Sequence, residues 1–444
     1  MNPIRNLNNQ AIKKDICNGV NYIIIGNGPS AISAVRAIRE VDLRSKLTVI
    51  SDEPYLNYSR PLISYLLSKK IEKDKMVYCH EDFYKENRVE LILNKKANKL
   101  DIKKKNITLS NKQIIPFDKL LIATGGAPII PEVKGRDLFG VFTFTKLQDA
   151  EEIARYIRYN KVKEAVIVGG GLIGLKAAEA LIELKIKVTI VELADRILAA
   201  TFDKKASSII EGALEKIGGK LLTNNTIVEI KSKNKKVSEV ILRDKKRIRA
   251  ELVIVAIGVR PEIELVKGTS IKTNKGILVD NFMQTNIKDI YAAGDCCEAK
   301  DSLLGISRPI AIWPVATGQG KVAGYNMAGV KKEYSGSFTM NSIELCGIPT
   351  ISVGQTYPEK KGYEVLEHFD KDKPIYKKIV LRDNRIVGAI FVGEIERAGI
   401  YTGLIKDRVD TGSFKEYLLK EDFGLIILPK EYRKHLVTGA GIEV

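Results

Sequence analysis

The stretch that decides the fold is residues 21–31, which read NYIIIGNGPSA. The apolar run Tyr22–Ile25 predicts a short buried strand, and the glycines after it predict a tight turn. Beyond Gly28, apolar residues recur at helical spacing, and Leu47–Ile50 predicts a second strand. Strand, glycine turn, helix and strand in this order form a βαβ unit, which requires a parallel sheet and a right-handed crossover.

The glycine turn has the pattern GxGxxA, which is typical of dinucleotide-binding sites. Gly26 allows the tight turn, Gly28 lets the backbone approach a pyrophosphate, and Ala31 allows the helix to pack closely on the strand. The helix start faces the phosphates, and a carboxylate just after the second strand can bind ribose hydroxyls. The candidate residues of this first site are Gly26, Gly28, Pro29, Ser30, Ala31, Asp52 and Glu53.

A second unit of the same kind lies downstream, where Gly169–Gly174 reads GGGLIG between predicted strands at 165–168 and 188–191. Glu192 ends the second of these strands. A carboxylate there accepts hydrogen bonds from both ribose hydroxyls and repels a 2′-phosphate, which favours NAD(H) over NADP(H). Arg196, four residues further on, is an alternative partner for such a phosphate. The candidate residues of this second site are Gly169, Gly171, Leu172, Ile173, Gly174, Glu192 and Gly258.

Three further motifs accompany the glycine turns: LIATG at 121–125, VAIGVRP at 255–261 and IYAAGD at 290–295. Together the five motifs resemble the two-dinucleotide-binding-domain flavoproteins, the glutathione-reductase-like superfamily, over residues 20–330. The resemblance implies that the first site holds FAD, that the Gly-Asp carboxylate binds its ribityl chain, and that the Ala-Thr-Gly segment closes over the flavin. It adds to the first site Ala123, Thr124, Gly125, Gly294 and Asp295.

Within that superfamily, the chain is similar to the branch of rubredoxin reductases, ferredoxin reductases and nitrite-reductase flavin domains. The similarity rests on DEPYLNYSRPL at 52–62 and on IWP at 312–314, followed by Gln319-Gly320. It implies that Arg60 contacts FAD and that the segment beginning at Trp313 runs beside the isoalloxazine. The alternatives are that Arg60 is a solvated charge and that Trp313 is a core aromatic.

Two departures from these relatives bear on the mechanism. Residues 55–65 contain no cysteine, whereas disulfide reductases carry a cysteine pair there, so we expect no thiolate relay. Tyr65 and Lys176 stand where ferredoxin-reductase-like members carry a lysine and a glutamate. Our hypothesis is that Lys176 is a catalytic residue whose positive charge stabilises the reduced flavin. The alternative is a solvated helix residue paired with Glu179.

The predicted fold class is α/β, with two Rossmann-like dinucleotide-binding domains, for FAD and NAD, and a small α+β C-terminal domain. Strand-like segments at 342–352, 363–369 and 376–392, the last with a turn at Asp383-Asn384, predict the C-terminal domain. The predicted divisions are 1–145 and 263–330 for the two parts of the FAD domain, 146–262 for the NAD domain and 331–444 for the C-terminal domain.

The composition restricts the class of protein and its surroundings. With 444 residues, 45% of them hydrophobic and 28% charged, the chain is globular rather than disordered. Its net charge of +18 favours an acidic partner. Five cysteines without a CxxC pair and three scattered histidines predict a reduced cytoplasmic protein with no metal site. The vicinal Cys296-Cys297, predicted at a helix start, is more typical of packing than of redox chemistry. We expect neither a membrane span nor, in residues 1–19, a signal-peptide core.

The resemblance implies an FAD-dependent NADH oxidoreductase that transfers a hydride from NADH to FAD and then electrons to a small acidic iron or iron–sulfur carrier, such as a rubredoxin or ferredoxin. An oligomer, or a subunit of a larger oxidoreductase, remains open. One alternative is an NADH oxidase that reduces dioxygen. Another is a redox-sensing flavoprotein that binds nucleic acid, which is disfavoured because the sequence carries no helix-turn-helix, zinc or RNA-binding signature.

Overall fold

The computed structural model describes residues 19–358, 362–370, 372–424 and 427–429. Cys17, His435 and the N-terminal segment judged for a signal peptide, apart from Gly19, lie outside the described residues. No helix within the described ranges combines the length and the apolar character that a membrane crossing needs. The α-helices are α1 (Pro29–Val41), α2 (Ile63–Leu67), α3 (Glu81–Glu86), α4 (Leu147–Asn160), α5 (Leu172–Glu183), α6 (Lys204–Lys216), α7 (Trp313–Met327) and α8 (Ala398–Lys406).

The strands confirm the predicted mixture of helices and sheets. They are β1 (Asn21–Ile25), β2 (Lys46–Ile50), β3 (Val89–Ile92), β4 (Ala97–Asp101), β5 (Asn106–Leu109), β6 (Ile114–Pro116), β7 (Lys119–Ile122), β8 (Gly126–Pro128), β9 (Val141–Thr143), β10 (Glu164–Val168), β11 (Lys187–Val191), β12 (Lys220–Leu222), β13 (Ile227–Lys233), β14 (Lys236–Leu242), β15 (Arg247–Arg249), β16 (Leu252–Val255), β17 (Val259–Pro261), β18 (Ile277–Leu278), β19 (Ile290–Ala292), β20 (Cys297–Lys300), β21 (Ser307–Arg308), β22 (Met340–Leu345), β23 (Ile348–Gly354), β24 (Glu364–Asp370), β25 (Ile375–Arg382) and β26 (Arg385–Val392).

The first of two compact units takes in the described residues up to Leu62, Ile71–Ala127 and Val259–Ser337. Its main sheet is parallel, with the strand order β19-β7-β1-β2-β3. Two smaller sheets, β4-β5-β6 and β18-β20-β21, belong to the same unit. Strand β1 is central and its apolar side chains are fully buried, as in Ile23 and Ile24, which explains why its sequence is apolar without alternation.

The second compact unit takes in Ile63–Lys70, Pro128–Gly258 and the described residues from Phe338 onward. It holds a parallel sheet in the order β12-β11-β10-β16-β9, the antiparallel meander β13-β14-β15, and the antiparallel sheet β22-β23-β26-β25-β24 with α8. The described residues from Phe338 onward, within the segment predicted as a C-terminal domain, therefore belong to the same compact unit as the second βαβ motif. The four-part division at 145, 262 and 330 stays a prediction.

Two local predictions are wrong. Residues 342–352 do not form one strand, because Cys346 and Gly347 both have positive φ (50° and 80°) and turn the chain from β22 into β23. Cys296-Cys297 does not start a helix, because Cys297 begins β20. The turn at Asp383-Asn384 is confirmed, with φ of 50° and 54° between β25 and β26.

Helices α1 and α7 approach closely because α7 carries glycines where the two meet. A Cβ added at Gly320 would lie 2.1 Å from the carbonyl oxygen of Ser30. A Cβ at Gly324 would lie 2.6 Å from the carbonyl oxygen of Ala34. Since backbone atoms cannot retreat as a flexible side chain can, these glycines set the distance between the helices.

We predict that Gly324→Ala lowers the free energy of unfolding by roughly 1–3 kcal/mol, because the added methyl group overpacks the contact between α1 and α7. The matched control is Gly212→Ala inside α6, where an added Cβ meets nothing within 4 Å. That variant should gain up to about 1 kcal/mol, since alanine is the better helix former. Urea unfolding of both variants measures the difference, and equal shifts would contradict the packing argument.

Candidate dinucleotide-binding sites

The first glycine turn is held between two strands. Gly26, directly after β1, has φ of +109°, and a Cβ there would lie 2.0 Å from the carbonyl oxygen of Ala123 at the end of β7. The Gly26 N–H donates to the Ile50 carbonyl at the end of β2, at 2.8 Å. Only glycine fits this position, and it places the start of α1 at the carboxyl end of the parallel sheet.

The start of α1 forms an open cradle with hydrogen-bond donors. Gly28 is the N-cap residue, no side chain in the described ranges caps it, and a Cβ there would meet nothing within 4 Å. Asn27 lies beside it, and its buried Nδ2 has no hydrogen-bond partner in the part of the chain that the structure describes. Open space beside unpaired N–H donors suits a pyrophosphate, so these residues fit FAD.

Asn27 and its partners were missed by the sequence reasoning. The Tyr84 hydroxyl donates to Asn27 Oδ1 at 2.9 Å, and Asn57 Nδ2 donates to the Asn27 carbonyl at 2.6 Å. These contacts orient the Asn27 amide. A polar residue between the first two glycines of the motif was a local signal for Asn27, but no local pattern points to Tyr84.

The carboxylate of Glu53, which follows β2, is paired with neighbouring side chains. Glu53 is buried and accepts hydrogen bonds from the Tyr58 hydroxyl and from Arg60 Nη2, both at 2.6 Å. Burial disfavours the charge on Arg60, but Glu53 and the other acidic groups near it raise the Arg60 pKa above its ordinary value. The Arg60 side chain is 40% exposed, so Arg60 is a cation held by its ion pair with Glu53, and Asp52 is exposed as well.

The Gly294-Asp295 pair follows β19 and meets the first turn of α1. Gly294 has φ of +85°, and a Cβ there would lie 2.5 Å from Ser30 Oγ. Its N–H donates to Gln319 Oε1 at 2.8 Å. Burial raises the pKa of Asp295, and the charge of Arg60 opposes that rise. Two motifs more than 260 residues apart in the chain thus meet at one end of the sheet.

The remaining residues predicted for the first site lie at element ends. Thr124 Oγ1 donates to the Glu262 carbonyl at 2.6 Å, and Gly125 has φ of +75°. Trp313 begins α7 and is half-buried, with its ring edge-on to Tyr78 at 5.4 Å between centroids. Trp313 is therefore not a fully buried core residue.

The second glycine turn repeats the geometry of the first. Gly169 has φ of +109°, and a Cβ there would lie 2.4 Å from the Ala256 carbonyl oxygen. A Cβ at Gly174 would lie 2.0 Å from the Gly169 carbonyl oxygen. Gly171 is an N-cap that no side chain caps within the described residues, and a Cβ there would meet nothing within 4 Å. Leu172 and Ile173 form the first turn of α5, and Gly258 has φ of +115°.

Glu192 is fixed at the end of β11. Its Oε2 accepts from the Gly170 N–H at 2.5 Å, and its Oε1 accepts from the Ala194 N–H at 2.7 Å. The carboxylate is thus held beside the glycine turn, where a ribose can meet it. Arg196 binds other side chains, with Asp195 at 2.5 Å and Tyr357 at 2.6 Å.

Lys176 is neither solvated nor isolated. Its side chain is 15% exposed and its Nζ bonds the Glu179 carboxylate. The Nζ also lies 5.1 Å from the ring centroid of Tyr65, so the two residues that differ from the family pattern contact each other. Glu179 in turn accepts from the Cys346 N–H at 2.6 Å. The pairing with Glu179 is observed, but the ion pair is largely buried.

Comparison with known protein families matches two parts of the chain. Residues 20–320 match the family described as pyridine nucleotide-disulphide oxidoreductase. Residues 340–409 match the family described as the rubredoxin NAD+ reductase C-terminal domain. The first match includes both glycine turns and Asp295. The second covers the antiparallel sheet β22-β23-β26-β25-β24.

Individual relatives extend these matches. The NADH-dependent phenylglyoxylate dehydrogenase subunit epsilon of Aromatoleum evansii is 33% identical over 88% of this chain and 92% of that protein. Nitrite reductase [NAD(P)H] of Bacillus subtilis (strain 168) is 31% identical over 87% of this chain but only 47% of its own length, so this chain spans about half of that relative. The solved structure of NADH:rubredoxin oxidoreductase from Clostridium acetobutylicum has 28% identity and a TM-score of 0.73, covering 89% of this chain and 97% of that one.

We predict that Gly28→Ala impairs flavin binding alone and that Gly171→Ala impairs NADH binding alone. Both positions have room for a Cβ and ordinary negative φ, so both variants should fold. The added methyl group occupies the space that a pyrophosphate needs. Gly28→Ala should lower the ratio of bound flavin to protein, measured by absorbance. Gly171→Ala should keep its flavin and raise the KM for NADH about tenfold, a loss of about 1.4 kcal/mol.

Two results would contradict these assignments. If both variants keep full flavin content and an unchanged KM for NADH, the two glycine turns do not hold the dinucleotides. If the effects are exchanged, the assignment of FAD to the first turn and NADH to the second is reversed.

Proposed function

Since this chain belongs to the pyridine nucleotide-disulphide oxidoreductase family and is an NAD(P)H-dependent flavin oxidoreductase, we propose that it passes electrons from NADH, through FAD, to a small acidic iron or iron–sulfur carrier of the rubredoxin or ferredoxin kind. The observation that carries this proposal is that the two glycine turns, each a candidate dinucleotide site, have the same geometry, while residues 55–65 contain no cysteine.

We assign FAD to the first unit and NAD(H) to the second. In the first, the uncapped start of α1 and the Asn27 amide would bind the pyrophosphate, with Arg60 as a positioned cation and Asp295 as the ribityl ligand. In the second, the start of α5 would bind the pyrophosphate of NADH, and Glu192 would accept from its ribose. When bound, FAD supplies hydride acceptance and the division of two electrons into single electrons, which suits an iron carrier.

The cysteines of the described chain support direct electron transfer without a thiol step. Cys79, Cys296, Cys297 and Cys346 are free. Burial raises the pKa of all four thiols, and it raises that of Cys346, with help from Glu179, to about 12. Thiols with raised pKa values stay protonated at neutral pH and are poor nucleophiles. Free thiols also support our inference of a reducing, cytoplasmic setting.

The net charge of +18 and the C-terminal segment support the choice of acceptor. A strongly positive protein attracts an acidic carrier over a distance of several ångströms, in a way that salt weakens. The C-terminal match is to a rubredoxin reductase domain, and a structural relative is an NADH:rubredoxin oxidoreductase. Another relative is a subunit of a dehydrogenase. As a second arrangement, we therefore propose that this chain acts as a subunit of a larger oxidoreductase.

We predict that rubredoxin or ferredoxin stimulates NADH oxidation, and that the kcat/KM for the carrier falls about tenfold across a salt series from low to physiological ionic strength. Stopped-flow and steady-state absorbance measure this. The control is an uncharged quinone acceptor, for which salt should change little. Oxygen consumption equal to NADH turnover, with no stimulation by any carrier, would instead identify an NADH oxidase.

We also propose that Lys176 assists hydride transfer from NADH bound in the same unit. The variant is Lys176→Met combined with Glu179→Gln, so that no buried carboxylate loses its partner. We expect slower reduction of the flavin by NADH in rapid-mixing experiments. Lys70→Met is the matched control, since Lys70 is the second cation near Tyr65, at 5.8 Å from its ring centroid, and is 52% exposed. Equal rates in all three proteins would exclude the role.

A further inference from the structure

Arg196 is the cation that follows Glu192 most closely in the chain, and each nitrogen of its guanidinium donates a hydrogen bond. It donates to Asp195 Oδ1 at 2.5 Å, to the Tyr357 hydroxyl at 2.6 Å and to the Phe202 carbonyl at 3.2 Å. Its Cζ lies 5.1 Å from the Tyr357 ring centroid. The Arg196 side chain is only 17% exposed, whereas a surface arginine is ordinarily solvated.

Tyr357 belongs to the C-terminal part of the second unit, in the segment after β23. Its hydroxyl donates to the Phe202 carbonyl while it accepts from Arg196, so it closes a hydrogen-bonded ring. The Nζ of Lys378, on β25, lies 5.3 Å from the Tyr357 ring centroid. Although Tyr357 is 37% exposed, its hydroxyl and ring link the antiparallel sheet to the segment that follows β11.

A buried ionic cluster fixes that contact. Asp203 caps α6 by accepting from the Ala206 N–H at 3.0 Å, and its other oxygen accepts from Lys378 Nζ at 2.9 Å and the Tyr376 hydroxyl at 2.7 Å. Lys378 is 7% exposed. Because both charges are largely buried and paired, removing either partner would leave the other charge buried without compensation. The sheet therefore holds Tyr357 in place.

The position of Arg196 matters for the choice of nucleotide. NADPH carries a 2′-phosphate at the ribose, which Glu192 repels and which requires a cationic partner such as arginine. We propose that Tyr357 is a specificity-determining residue, which holds Arg196 and so keeps the nucleotide site selective for NADH over NADPH. This inference rests on the proposed binding of NADH at Gly169–Gly174 and Glu192.

The ion pair with Asp195 would not by itself hold Arg196 in place. Asp195 is 41% exposed and also pairs with Lys204 at 3.3 Å, whose side chain is 81% exposed. An ion pair that water reaches on its Asp195 side is weaker than a charge-assisted bond to a phosphate. The bond from Arg196 to the Phe202 carbonyl uses Nε alone. Once Tyr357 is removed, a 2′-phosphate would therefore compete for the Nη atoms of Arg196.

The test compares the holoenzyme with Tyr357→Phe, Tyr357→Ala, Arg196→Met and Tyr357→Ala/Arg196→Met. We measure the kcat/KM for NADH and for NADPH with a quinone acceptor, and the Kd of 2′,5′-ADP by titration. Tyr357→Ala should raise the ratio of NADPH to NADH about tenfold and tighten 2′,5′-ADP binding by a similar factor, and Tyr357→Phe should do so less. Adding Arg196→Met should abolish both gains.

The outcomes distinguish this inference from the proposed function. An unchanged ratio in Tyr357→Phe and Tyr357→Ala, each with wild-type flavin content and unfolding midpoint, would overturn the role of Tyr357. A gain that persists after Arg196→Met would overturn the role of Arg196. If Gly171→Ala leaves NADH and NADPH use unaffected, the nucleotide site itself is wrong and the proposed function fails. Should Tyr357→Ala not fold, Tyr357→Phe decides, because it keeps the packed ring.

Discussion

The contact on which both halves of the molecule depend is a backbone carbonyl pressed against a glycine at the end of a strand. At Gly26 the neighbour is Ala123, and at Gly169 it is Ala256. A side chain at either glycine would collide with the carbonyl group at the end of a neighbouring strand. Because it is absent, the helix begins over the carboxyl end of the sheet, no side chain within the described residues caps it, and its start can meet an anionic ligand.

The two halves differ after their second strands rather than in their glycine turns. Glu53 takes a tyrosine and an arginine as partners, whereas the bonds that Glu192 makes within the described residues are to backbone N–H groups. One carboxylate thus positions a further charge, and the other is fixed beside the glycine turn. In the function that we propose, the shared turn would bind a dinucleotide in each unit, and the residues around it would decide which dinucleotide is bound.

Much of this organisation could be predicted from the sequence because the decisive signals are local. Glycine spacing, apolar runs and the Asp383-Asn384 turn all report on neighbours within a few residues. The partners of the site residues could not be predicted, because Tyr84 and Asn27 are 57 residues apart and Arg196 and Tyr357 are 161 apart. Such pairs depend on how sheets and helices pack. The turn at Cys346 was missed because a non-glycine residue there adopts positive φ.

The contact between α1 and α7 has a consequence for motion. The carbonyl of Ser30 touches Gly320, and that of Ala34 touches Gly324, so the helices meet through backbone atoms along more than one turn. Helices in such close backbone contact have little room to slide past each other, so we expect them to move together. The first turns of the two helices, one at the glycine motif and one at Trp313, would then keep their separation. If FAD binds at the glycine motif, as we propose, any conformational step would leave this part of its site unchanged.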